Sequence, residues 1–256
     1  MTTTSLAPGG AALIFIGRSI RHTLRNSEAL ITAIVLPVIL MLLFTFVFGG
    51  AIEPGGDYVN YVVPGIILLC AGFGSASAAV GVAQDMTKGI IDRFRTMPIR
   101  GSAVLTGHVV ASLARNLMAT AIVFAVALLV GFRPRAELLA WLGVIGLVAL
   151  YILAITWLAA ALGLVAGSVD AANGVTFGFL FLPYVSSAFV PAETMPAFLR
   201  GFAEHQPITP IIETLRGLLT GTSIGDSAWW AIGWCLLILL LSYGAGTWLF
   251  RHKTAR

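Results

Sequence analysis

Charge is scarce in this chain: Asp, Glu, Lys and Arg together make up 10% of 256 residues, and Lys88 and Lys253 are the only lysines. So little polar surface cannot cover a water-soluble globule of this size. Cysteine is nearly absent as well. Cys70 and Cys235 each sit inside an apolar run, without Cys-x-x-Cys spacing or an adjacent His, which excludes a disulfide framework and a metal knuckle. Both read as small buried hydrophobes. His-Glu-x-x-His is missing, and His22, His108, His205 and His252 fall near the ends of apolar runs, so a membrane metallohydrolase has no recognisable machinery. No Gly-x-x-x-x-Gly-Lys-Ser/Thr occurs either, which excludes P-loop binding of ATP by this chain. The basic excess, a net +4, lacks the interleaved aromatics of a nucleic-acid surface, and no nucleic-acid partner is expected.

What is abundant is apolar. Hydrophobic residues make up 58% of the chain and the mean hydropathy is +0.95, so the bilayer is the solvent. A hydrocarbon core of about 30 Å needs about 20 residues at about 1.5 Å each. Six runs qualify, near 29–49, 61–83, 104–131, 138–166, 173–190 and 228–250. They lack period-two alternation, so helices rather than a closed barrel satisfy the backbone, and the expected class is an all-α polytopic membrane protein. No small-residue cleavage site follows the first run, so all six are expected to persist.

The basic residues set a topology. Arg18, Arg21 and Arg25 precede the first span, Lys88, Arg93, Arg95 and Arg100 separate the second and third, and Arg251, Lys253 and Arg256 close the chain. Against these ten, the opposite side holds Arg133, Arg135, Arg200 and Arg216, and its first loop holds only Glu53 and Asp57, which places both termini in the cytoplasm. Arg115 falls near the inner membrane surface. No ionisable residue is expected in mid-bundle: Asp85 and Asp170 end spans, Glu28 and Glu137 begin them, and Glu213 can pair with Arg216 at i, i+3.

Met1 to Gly10 carries no periodicity and is expected to be a mobile tail. Over 11–27, Leu13, Ile16, Ile20 and Leu24 share one helical face and the arginines another, which predicts an amphipathic helix on the inner leaflet or a plain basic flank. Pro37 and Pro183 each remove a helical hydrogen bond within a span. Between the last two spans, Pro191, Pro196, Pro207 and Pro210 punctuate an apolar stretch over about 195–221. Its longer helix, about eleven residues, rises only about 16 Å. The proline punctuation favours a re-entrant pair in the outer leaflet over two helices lying flat on it.

One segment is strongly charged. Between Asp85 and Arg100, Ile90, Ile91, Phe94 and Met97 recur at helical spacing while Lys88, Asp92, Arg93 and Arg95 fall mostly elsewhere, and Pro98 ends the turn. Its apolar face fits either the lipid surface or a groove on a partner. The stretch QDMTKGIIDRFRTMPIRGSAVLTGHVVASLARNL, Gln84 to Leu117, resembles the cytoplasmic loop of type-2 ABC exporter permeases, especially their daunorubicin-resistance branch. A second stretch, FLPYVSSAFVPAETMPAFLRGFAEHQPITPIIETLRGLLTG, Phe181 to Gly221, is similar to that branch's outer loop and paired short helices.

The resemblance implies a transmembrane permease subunit without catalysis of its own, exporting a lipophilic drug-like or lipid molecule. It implies a coupling helix about 87–98, docking into a separate ATP-binding subunit through Lys88, Gly89, Ile91, Asp92, Arg93, Phe94, Arg95, Met97 and Pro98. Phe94 would be its apolar anchor. Family members often carry acidic-basic-acidic residues where Met86 and Thr87 stand, so fewer ion pairs are expected there. ATP and Mg belong to two copies of that partner, and a second permease copy completes the pathway, as a homodimer or with a related permease. Phe44, Phe48, Phe73, Phe177 and Tyr184 are the candidate pathway residues, with Glu213 and Arg216 in the outer pair. Export of a lipid-linked glycan or polymer remains an alternative within the family, and a stand-alone ion-coupled carrier outside it.

Overall fold

The computed structural model describes residues 27–52, 58–87 and 102–254. The tail over 1–10, the amphipathic helix expected over 11–27 and the coupling helix expected about 87–98 fall almost wholly outside them. So do Lys88, Gly89, Ile91, Asp92, Arg93, Phe94, Arg95, Met97 and Pro98.

Every regular element among the described residues is helical. Helix α1, Ser27–Leu42, runs into a π-helical turn, Leu43–Phe48, and a final α-turn, Gly49–Ile52. Helices α2, Tyr58–Thr87, and α3, Ser102–Val130, follow, then α4, Leu138–Val165. The chain continues through α5, Val169–Leu180, the short α6, Ala197–His205, and α7, Ile208–Thr220, and finishes with α8, Ser227–Thr254. Five of these helices are long and apolar enough to cross a membrane: α1 with its extension, α2, α3, α4 and α8.

The run expected to form a span over 173–190 folds differently. Helix α5 stops at Leu180, and the chain continues as a 3-10 turn, Leu182–Val185, and irregular backbone. Pro183 sits in the first turn of that 3-10 segment rather than inside an α-helix, because it has no N–H for a continuing ladder. The segment still travels the length of the bundle. It leaves α4 at the end where α2 finishes, called the near end below, and by Phe189 it reaches Tyr58 at the far end, where the Tyr58 hydroxyl donates to the Phe189 carbonyl at 2.7 Å.

Helix α2 is the axis of the fold. It packs against α1, α3, α4 and α5, and its residues Val62, Ile66, Leu68, Leu69 and Ala71 are fully buried. At 30 residues it is about 45 Å long, well over the thickness of the hydrocarbon. Its contact with α4 is backbone to backbone: a Cβ added at Gly163 would stand 2.4 Å from the Ala79 carbonyl oxygen. Small residues at such crossings let helices gain dispersion contacts where lipid supplies no hydrophobic drive.

The prolines are compensated locally. Pro37 cannot donate to the Ala33 carbonyl four residues earlier, and the Cys70 thiol of α2 donates to that oxygen at 3.5 Å instead. Cys70 is thus buried as expected, but it also supplies a donor that a plain hydrophobe lacks. Pro64 stands inside α2 near its first turns. Helix α7 ends on Gly221 at φ +76°, a left-handed cap whose N–H donates to the Gly217 carbonyl at 2.9 Å.

Candidate functional site

Helices α2 and α3 flank residues 88–101 and are joined by a ladder of polar contacts running from the near end toward mid-bundle. At the top, His108 Nε2 and Asp85 Oδ2 are 2.8 Å apart. Two turns deeper, Arg115 Nη2 donates to Ser77 Oγ at 2.6 Å and lies 3.5 Å from Ser112 Oγ. Asn116 Nδ2 then donates to Ser75 Oγ at 3.0 Å, and Thr120 Oγ1 approaches Cys70 Sγ at 3.9 Å. Partners descend on α2 as they climb on α3, the register of two antiparallel helices meeting along their length.

Ser75 is the hub. Its hydroxyl donates to the Ala71 carbonyl at 2.8 Å, so with its one proton used it accepts from both Asn116 and Thr156, the latter at 3.0 Å on α4. Ser75, Asn116 and Thr156 are all fully buried. Gly74 makes room for the amide: an added Cβ would fall 1.4 Å from Asn116 Oδ1, which has no hydrogen-bond partner of its own. Any larger residue at 74 expels Asn116 from the rung.

Arg115 corrects the expectation that no ionisable residue faces the bundle. It lies ten residues past Leu105 in a span ending at Val130, and Ser77 lies nine residues before Met86 in its own. Both helices therefore carry the guanidinium between two and three turns inside these apolar stretches. Distance from the apolar-run boundary, not the surrounding hydropathy, was the available signal.

At the far end a second polar site holds the broken segment. Backbone freed from a helix must find donors, and here side chains supply them. Arg216 of α7 donates to the Ser187 carbonyl at 2.6 Å and to the Tyr61 carbonyl at 3.2 and 3.3 Å. The same guanidinium pairs with Glu213 at 2.9 Å and lies 3.7 Å from the centre of the Tyr61 ring. The Tyr61 hydroxyl donates to Ser187 O at 3.0 Å, and Gln206 Nε2 donates to the Leu182 carbonyl at 3.3 Å and, more closely, to Val185. The Glu213–Arg216 pair is therefore one part of a clamp on residues 182–189, with Arg216 its centre.

A chain of rings runs along the clamped segment and the helices beside it. Phe48 meets Phe44 at 5.5 Å between centroids, Phe44 stacks on Phe189 at 4.1 Å, and Phe189 stacks on Tyr184 at 5.4 Å. Tyr184 continues to Phe181 at 6.1 Å and Phe181 to Phe177 at 5.3 Å. Four of the five candidate pathway residues, Phe44, Phe48, Phe177 and Tyr184, are thus brought together across α1, α5 and the broken segment. Phe73 packs against the main core and joins none of these ring pairs. Phe181 and Phe189 complete the chain; Phe181 stands at i+4 from Phe177 and could have been found by that spacing, whereas Phe189 lies in irregular backbone and has no such mark. Leu180, next to Phe181, lines a cleft between α2, α4 and α5 together with Gly72, Ala76, Tyr151, Ile155 and Thr176.

Comparison with known proteins places this architecture. Residues 11–220 match the family described as "ABC-2 type transporter". The chain is 30% identical over 217 residues to a daunorubicin resistance ABC transporter permease protein of Streptomyces coeruleorubidus, covering 84% of this chain and 74% of that one. It is 26% identical over 240 residues to a probable doxorubicin resistance ABC transporter permease protein of Mycobacterium tuberculosis, covering 86% and 87%. Such permeases work with an ATP-binding subunit. With its all-helical bundle and its match over most of its length, the chain belongs to the ABC-2 type transporter family and is a multi-pass membrane permease subunit.

Proposed function

We propose that this permease exports a lipophilic, drug-like molecule, driven by ATP hydrolysis on two copies of a separate ATP-binding subunit, which hold the nucleotide and Mg. The relatives named for daunorubicin and doxorubicin resistance support a drug-like cargo. A second permease copy, identical or related, forms the other wall of the pathway. Residues 88–101 face the cytoplasm with both termini, in the plasma membrane, and carry the docking helix anchored by Phe94.

The observation that carries this reading is the α2–α3 ladder. Those two helices emerge on either side of residues 88–101 and are hydrogen-bonded from Asp85–His108 down to Ser75–Asn116–Thr156. A push on the intervening segment is therefore delivered to α2, α3 and, through Thr156, α4 as one body. Interfaces of this kind switch between packed arrangements rather than deform. At the other end, α7 buries Ile208, Ile211, Ile212, Leu215 and Leu219 against the bundle, which supports a re-entrant position in the outer leaflet. Helix α6 exposes Phe198, Phe202 and the Arg200–Glu204 pair, which suits a position along the surface. The ring chain from Phe48 to Phe177 offers the cargo a continuous aromatic path beside the broken fifth crossing.

Coexpression with the ATP-binding subunit, followed by copurification and drug-stimulated ATP hydrolysis in proteoliposomes, tests the reading. Phe94→Ala should abolish copurification and stimulated hydrolysis while the permease remains monodisperse. Undiminished ATP-driven export by that variant, or export driven by an ion gradient without the ATP-binding subunit, overturns it.

A further inference from the structure

We infer that Arg115 is a binding site for the acidic head group of an amphiphile, a phosphate or carboxylate on an apolar tail; as a statement about cargo, this rests on the permease reading above. The guanidinium has five N–H donors, and the contacts it makes run through Nη2 to the neutral hydroxyls of Ser77 and Ser112. Among the described residues, no carboxylate pairs with it: Asp85 is taken by His108, Glu204 by Arg200 and Glu213 by Arg216. Glu137, Asp170, Glu193 and Asp226 all stand at helix ends or in loops, away from the middle of α3. Among the described residues, the positive charge on α3 therefore has hydrogen-bonding support but no counter-charge.

Its surroundings match an amphiphile better than a free anion. Arg115 is half-buried, at the margin between the face of α3 that packs inward through Ser112, Asn116 and Ala119 and the face that carries Ala114, Met118 and Ile122 outward. Met118 and Ile122 are 42% and 40% exposed, one and two turns farther along. A planar, forked donor suits the two oxygens of a carboxylate or phosphate, while a tail attached to that head lies along the exposed apolar stripe. The two serines hold the fork in place without neutralising it.

The test uses the wild-type permease in nanodiscs of neutral lipid, with tryptophan fluorescence reporting binding of dodecyl phosphate, dodecyltrimethylammonium, dodecyl maltoside and inorganic phosphate. Dodecyl phosphate should bind saturably and at least about ten-fold more tightly than the other three. Arg115→Gln should erase that preference and Arg115→Lys should keep most of it. Equal binding of acidic, neutral and cationic amphiphiles by the wild type overturns the assignment whether or not the variants fold, as does a preference that survives Arg115→Gln. Preference for inorganic phosphate alone overturns the amphiphile. With the ATP-binding subunit present, stimulation of hydrolysis by dodecyl phosphate identifies the acidic group as cargo; displacement by phosphatidylglycerol without stimulation identifies it as resident lipid, and the site stands in both cases. Drug-stimulated hydrolysis without acidic preference defeats this inference alone; acidic preference without any ATP coupling defeats the permease reading alone.

Discussion

Replacing Ser75 by Ala removes one hydroxyl and strands two partners. The Ser75 oxygen accepts from Asn116 Nδ2 at 3.0 Å and bonds Thr156 Oγ1 at 3.0 Å, and all three residues are fully buried. Thr156 can turn its hydroxyl back to a carbonyl of its own helix, so its loss is small. Asn116 has no such recourse: its Oδ1 is already without a partner against Gly74, and its amide then loses its acceptor too. A buried donor left unmade costs about 1–3 kcal/mol, whereas polar contacts in membrane bundles average about 0.6 kcal/mol when both states find partners. The orphaned amide puts Ser75→Ala nearer the first figure, at about 2 kcal/mol. Asn116→Ala alone leaves a cavity, but in the Ser75→Ala background it removes the stranded group, so the two changes should be sub-additive by about 1 kcal/mol. Reversible unfolding in mixed micelles of detergent and denaturing surfactant measures all four corners of the cycle. Additive effects, or a Ser75→Ala variant within about 0.3 kcal/mol of the wild type, would show that the rung carries no energy and that α2, α3 and α4 are not coupled there.

Gly163→Val should be worse tolerated than its chemistry suggests, because its Cβ meets the Ala79 carbonyl at 2.4 Å and α2 and α4 must separate; about 1–3 kcal/mol is expected in the same unfolding assay. Arg216→Lys should behave like a deletion rather than a conservative change, since an ammonium cannot span the Ser187 and Tyr61 carbonyls and Glu213 together; hydrogen exchange over residues 182–189 should accelerate while the rest of the bundle is unchanged. Glu204→Gln should leave stability unaltered across about pH 5 to 9. The hydrogen bond that Arg200 donates to Glu204 raises the Arg200 pKa from an already high value, so any contribution of that exposed pair is present throughout this range and is lost only at far higher pH.

Hydropathy and spacing carried the reading a long way. Partition of an apolar run into lipid depends on the run itself, so the helical class and most span positions are legible residue by residue, and the two quoted stretches were enough for the family resemblance. The proposed docking residues from Lys88 to Pro98 rest on the same kind of spacing and lie outside the described structure.

Where the helices stop being helices is another matter. The run over 173–190 is apolar enough to pass as a span, yet it breaks after Leu180 because donors at Tyr58, Tyr61, Gln206 and Arg216, distant along the chain, satisfy its carbonyls. Nor does any local pattern pair Ser77 with Arg115, or reveal that Phe189 joins Phe44 to Tyr184. Burial in oil is a property each segment owns, whereas a hydrogen-bond partner or a stacked ring belongs to two segments at once and exists after they meet.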